Sequence, residues 1–234
     1  MKQHRFRLIE LFEISNSVKS ICFWSVISLI LVAVFLVIVL LDQDLYINLA
    51  REGTNTELLT AIFYFIAGGL IIIHGYRQFK LNRSIWTAAF PLLFGGFFIF
   101  IAGEEESWGQ WIFHYKATTW ISEANVQKEI NIHNLALLDF LSPHMILNIF
   151  ALTVGIVLPL LYRFSIRFRM FLNKMHFPVC PLSCLPLFFL ALGYERISGV
   201  IFYHWASAEI REFLLSIGFL LFSFSAFNKK NIIE

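Results

Sequence analysis

Six long apolar runs separated by polar breaks set the pattern along the chain. They cover residues 21–41, 58–76, 85–103, 144–162, 179–203 and 213–227. A helix needs about 20 apolar residues to cross ~30 Å of hydrocarbon. Only structures that close their own backbone hydrogen bonds survive there. The pattern therefore predicts an all-α, polytopic bundle of six transmembrane helices in a single domain. The first run is too long for a cleavable signal, and no small-residue cleavage site follows it. The polar stretch 104–143 is predicted as one long loop on the side opposite the termini. Within it Val126, Ile130, Leu137 and Leu141 form an apolar stripe at helical spacing, beside Asn125, Glu129 and His133. That suits an amphipathic segment lying on the membrane interface, with an extended segment as the alternative.

Composition agrees: 58% of the 234 residues are hydrophobic and 15% charged. Soluble chains average about 25% charged. Mean hydropathy is +0.71. The net charge of +2 matters less than its distribution. Thirteen of the eighteen Lys and Arg fall in the N-terminal arm, the 77–83 and 163–174 loops, and the tail. The positive-inside bias then places both termini in the cytoplasm, expected to be that of a bacterial inner-membrane protein. Thirteen of the sixteen carboxylates fall on the other side. The bilayer is the expected partner, with no nucleic acid. Cys22, Cys180 and Cys184 sit at cytoplasmic span ends and read as packing residues.

The chemistry concentrates in GEEESWGQW, residues 103–111. Glu104 lies twenty-one residues after Arg83, about 32 Å along a helix, at the outer interface. Trp108, Trp111, Tyr115 and Trp120 suit an aromatic belt. Glu195 and Arg196 lie inside the fifth run, where ionisable residues pair toward the bundle interior. Arg196 is expected to pair with Glu104 or Glu105, and a choice between these follows from spacing. Neighbours on a helix diverge by about 100°. Trp108 would cover Glu104, and Gly109 would leave space above Glu105. The predicted structural ion pair is therefore Glu104, Arg196 and Glu195, with Arg211 on an exposed loop. Glu105 is left for a site with Glu129 and His133.

The segments EGTNTELLTAIFYFIAGGL (52–70), GEEESWGQWIF (103–113) and NVQKEINIHNL (125–135) resemble an uncharacterised family of bacterial polytopic membrane proteins. The likeness covers about residues 51–140 and is carried by a Glu-Glu-x-Ser-Trp-Gly-Gln string and a later Asn-x-His-Asn. The matching residues are Glu57, Glu104, Glu105, Ser107, Trp108, Gly109, Gln110, Glu129, Asn131, His133 and Asn134. Glu106 departs from it, since an aliphatic residue is usual there. The resemblance implies no activity.

Two function classes follow. In the first, the protein is a hydrolase or transferase acting on a lipid or lipid-linked headgroup. Glu105, Glu129 and His133 would be its catalytic residues, or would hold a divalent metal such as Zn²⁺ with an open water position. Ser107, Gln110 and Asn134 would bind substrate. In the second, the carboxylates capture cations for a transporter or channel component, or dock a partner subunit. The oligomeric state is open.

Overall fold

The structure is a computed structural model that describes residues 14–51, 55–113, 130 and 143–228. Six helices in it are long and apolar enough to cross a membrane. They are α1 (Val18–Leu41), α3 (Asn55–Asn82), α4 (Ile85–Glu105), the span His144–Phe164, the span Leu182–Ile201, which contains α9 (Leu185–Ile201), and α10 (Ala206–Asn228). The span His144–Phe164 is built from α6 (Pro143–Leu152), a π-helical turn Thr153–Val157 and α7 (Leu158–Phe164). Shorter helices are α2 (Gln43–Ala50), α5 (Gln110–Phe113) and α8 (Ile166–Lys174). Among the described residues there is no strand.

Local chemistry sets the ends. Ser17 caps α1, its Oγ accepting from the Ser20 N–H at 3.2 Å. Asp42 closes α1 with its own N–H on the Ile38 carbonyl at 2.8 Å. The same residue opens α2, its Oδ1 accepting from the Leu45 N–H at 2.8 Å.

Small residues let α3 and α4 meet backbone to backbone. A Cβ on Gly68 would stand 2.7 Å from the Gly95 carbonyl oxygen, and one on Gly75 would stand 2.9 Å from Pro91 Cβ. In the centre, Phe219 of α10 packs against Phe188, Phe98 and Phe150 at ring separations of 4.9, 5.0 and 5.4 Å. The π-turn carries Gly155, against which the Phe188 ring lies. Large apolar side chains such as Leu29, Phe65, Leu93, Ile149 and Phe189 stay exposed, as a lipid-facing surface requires.

Helix α10 is the axis of the bundle, with 61% of its apolar window buried against 17% for α1. It begins at Ala206, earlier than the predicted 213, and so carries Glu209, Arg211 and Glu212 into the bundle. Arg211 is not on an exposed loop, as its sequence position predicts; it is buried at 3% exposure.

Candidate functional site

The starts of α3, α6 and α10 gather with the ends of α4 and α9, and the polar residues gather with them. Arg211 is the hub. Its Nη2 donates to Glu212 Oε1 at 2.9 Å and its Nη1 pairs with Glu195 across from α9. Glu212 also binds His144, with Nδ1 to Oε1 at 2.5 Å. Four ionisable groups on three helices are thus linked in one network. Glu212 is 9% exposed at its side chain, while His144 is 48% exposed. With Glu212 ionised, His144 Nδ1 is the donor, and a neutral imidazole then has Nε2 as its acceptor. His144 Nε2 makes no hydrogen bond among the described residues.

More carboxylates surround this hub. Glu105 lies within electrostatic reach of Glu57, Glu209 and Glu212. Glu209 lies within reach of Glu57, Glu212, His144 and Arg211. Below them Tyr64 is fully buried, with Glu105, Glu212 and Arg211 as electrostatic neighbours. The Tyr64 hydroxyl and the Arg211 Nε are buried without a hydrogen-bond partner among the described residues. A buried hydroxyl chain runs beside the hub, from Tyr194 to Tyr46 at 3.1 Å and from Tyr46 to Ser207 at 3.2 Å.

The stretch 103–111 contains the end of α4 and a tight turn. Helix α4 ends at Glu105, with Glu106 as its cap, so Glu106 and Gln110 do not continue one helical face. The chain turns through three residues of positive φ, Ser107 at 44°, Trp108 at 56° and Gly109 at 82°. Only the glycine adopts this freely. Trp108 folds back over Gly103, and its Nε1 donates to Glu104 Oε1 at 2.6 Å. Glu104 is buried and Glu105 half-buried. Gly109 serves the turn rather than leaving space above Glu105, since a Cβ there would stand 3.1 Å from the Phe113 ring. Burial pushes the Glu106 carboxyl above the usual carboxylate range.

The other predicted residues divide as follows. Ser107 is buried in the turn. Gln110 holds backbone, its Oε1 accepting from the Ile130 N–H at 2.8 Å. Glu195 is in an ion pair, but with Arg211. The predicted pairing of Arg196 with Glu104 is corrected: Arg196 is exposed and makes no ion pair among the described residues. Position 196 points away from the bundle while Glu195 reaches α10, since neighbours on a helix diverge. Glu129, His133 and Asn134 lie outside the described residues, and so do the Glu129–His133 part of the metal set and, apart from Ile130, the interfacial segment 125–134. Among the described residues no three His, Cys, Asp or Glu side chains come together to hold a metal ion.

His144, Arg211, Glu212 and Glu209 were not in the predicted site. One signal for three of them was present. The run 213–227 extends only about 22 Å as a helix, too little to cross ~30 Å. The missing turns must come from 206–212, which brings Glu209, Arg211 and Glu212 in. No family model matches the chain, and neither a curated protein nor a solved structure matches it.

Proposed function

We propose that this polar end faces outward in a multi-pass protein of the bacterial inner membrane, with both termini cytoplasmic. We read it as a hydrolase or transferase that works by general acid–base chemistry on a lipid or lipid-linked headgroup. The observation that carries the reading is the pair His144–Glu212 at 2.5 Å, with His144 half exposed and its Nε2 open. A carboxylate on Nδ1 fixes the imidazole's orientation and tautomer, and stabilises the imidazolium formed when Nε2 takes a proton. Arg211 Nη2 donates to the same Glu212 oxygen that His144 meets, and helps to fix that carboxylate in place. Glu105 and Glu209 stand near enough to bind the cationic part of a headgroup or to serve as a second acid–base group. The position at the helix ends supports a substrate lying in the outer leaflet.

The test is product formation in vesicles. Purified protein is incubated in liposomes containing phospholipids and a lipid-linked sugar, and products are followed by mass spectrometry. The reading expects a new headgroup product that is lost by at least a hundredfold in His144→Gln, the usual weight of a general base. It should persist in His204→Gln, because His204 stacks on Phe202 and accepts the Ala206 N–H, away from the dyad. The alternative, cation capture, draws on Glu57, Glu209 and Glu212 all acting electrostatically on Glu105. It predicts saturable cation binding and no product.

A further inference from the structure

At the opposite end of the bundle, where α1 starts and α10 ends, lies a cavity of about 590 Å³. That volume falls within the ~300–1,000 Å³ typical of small-ligand sites. Arg163 at the end of α7 and Arg169 of α8 both border it, with Asn16, Tyr162, Ser225 and Asn228. No Asp or Glu borders it among the described residues. Neither arginine has an ion-pair partner among the described residues. The polar lining offers the side-chain amides of Asn16 and Asn228 beside the two guanidinium groups, a set suited to phosphate oxygens.

The walls are tied together. Asn16 Oδ1 accepts from the Leu182 N–H at 2.8 Å. Ser225 Oγ donates to the Ile14 carbonyl at 3.3 Å. Tyr162 donates to Asn173 Oδ1 at 3.0 Å and fastens α8 to α7. The cavity therefore belongs to the packed bundle. Its surroundings are those of a membrane interface. Phe164, Ile166, Met170 and Phe171 are exposed apolar residues beside it, and Arg167 and Lys174 are exposed on the same short helix. A helix of that composition lies in the interface plane.

We propose that this cavity binds the phosphate of an anionic phospholipid headgroup, with Arg163 and Arg169 as its cationic clamp and the acyl chains against Phe164 and Ile166. A basic pocket between spans at the positively charged end has the right charge and depth for such a headgroup. A free phosphate offers the same oxygens, and only the lipid uses the apolar flank.

The full-length protein, purified in detergent, is titrated with phosphatidylglycerol, phosphatidylcholine or inorganic phosphate, and bound ligand is counted by native mass spectrometry. The expected result is saturable phosphatidylglycerol binding that Arg163→Gln/Arg169→Gln weakens by about tenfold or more. Arg167→Gln/Lys174→Gln removes the same charge outside the cavity and should change binding less than twofold. Ser225→Phe keeps every charge and fills the cavity, and it should also weaken binding, which covers failure of the arginine variant to fold. Inorganic phosphate binding as tightly as the lipid assigns the site to a soluble anion and overturns the lipid assignment. Equal loss in the two double variants, unchanged binding in Ser225→Phe, or no preference for phosphatidylglycerol over phosphatidylcholine overturns the site.

Discussion

Replacing Arg211 by Ala tests the hub of the polar network. Arg211 is 3% exposed, and its two ion-pair partners differ in burial: the Glu212 side chain is 9% exposed and the Glu195 side chain 48%. The half-exposed leg to Glu195 is screened and contributes ~0–1 kcal/mol. The buried leg dominates, since stranding one partner of a buried pair costs about 3–5 kcal/mol. His144 remains on Glu212 at 2.5 Å and offsets part of that loss, so the lower end, about 3 kcal/mol, is the expected cost. For a chain of this size each kcal/mol shifts the unfolding midpoint by roughly 2–4 °C. The expected drop is then about 6–12 °C, read as the apparent midpoint in detergent by tryptophan fluorescence at one fixed scan rate. Arg196→Ala is the matched control: exposed and outside the network, it should stay within about 2 °C. Restoring apolar packing with Arg211→Met/Glu212→Leu should recover part of the loss, because the buried Glu212 charge is then not left stranded and only the half-exposed Glu195 loses its partner. Equal shifts for Arg211→Ala and Arg196→Ala would refute the reasoning.

Three other outcomes are expected. Gly68→Ala should destabilise by about 1–3 kcal/mol, because its Cβ would meet the Gly95 carbonyl at 2.7 Å, whereas Gly69→Ala, with nothing within 4 Å, should be neutral or slightly stabilising on the same melting assay. Burial raises the Glu106 carboxyl above its unfolded value, so its contribution is present at low pH and is lost as pH rises through the raised value; stability of the wild type relative to Glu106→Gln should fall as pH increases from about 4 upward, and a flat difference would contradict this. Lys128→Cys should react with an impermeant thiol reagent added outside intact cells while Lys174→Cys should not, and the reverse pattern would overturn the orientation.

The six helices were legible because the apolar runs are long and lipid leaves few alternatives to a helix. The starts of α3 and α10 were less so. The sixth apolar run begins only at Phe213, after Glu212, and so hides the turn that carries Glu209, Arg211 and Glu212. The cost of those charges is met by Glu195 and His144, which come from other helices and leave no local signature. Glu104 illustrates the same limit in miniature. Its burial and the return of Trp108 were readable from their spacing of four, but not the left-handed turn at Ser107 and Trp108 that delivers the indole to the carboxylate. Gly109 gave a hint of that turn, and its meaning was conformational rather than spatial. Arg196 and Arg211 were exchanged in the prediction because adjacency to Glu195 in sequence says nothing about which cation faces it from the neighbouring helix.

The bond between His144 and Glu212 is what would make His144 a general base. Histidine-labelled protein in lipid nanodiscs should show, by proton–nitrogen NMR, an exchange-protected Nδ1 proton shifted far downfield by a carboxylate partner. Its assignment follows from its loss in His144→Gln. In Glu212→Gln it should move upfield and exchange faster, while His204→Gln leaves it in place. A His144 Nδ1 resonance that does not respond to Glu212→Gln would contradict the pairing, and with it the proposed general base.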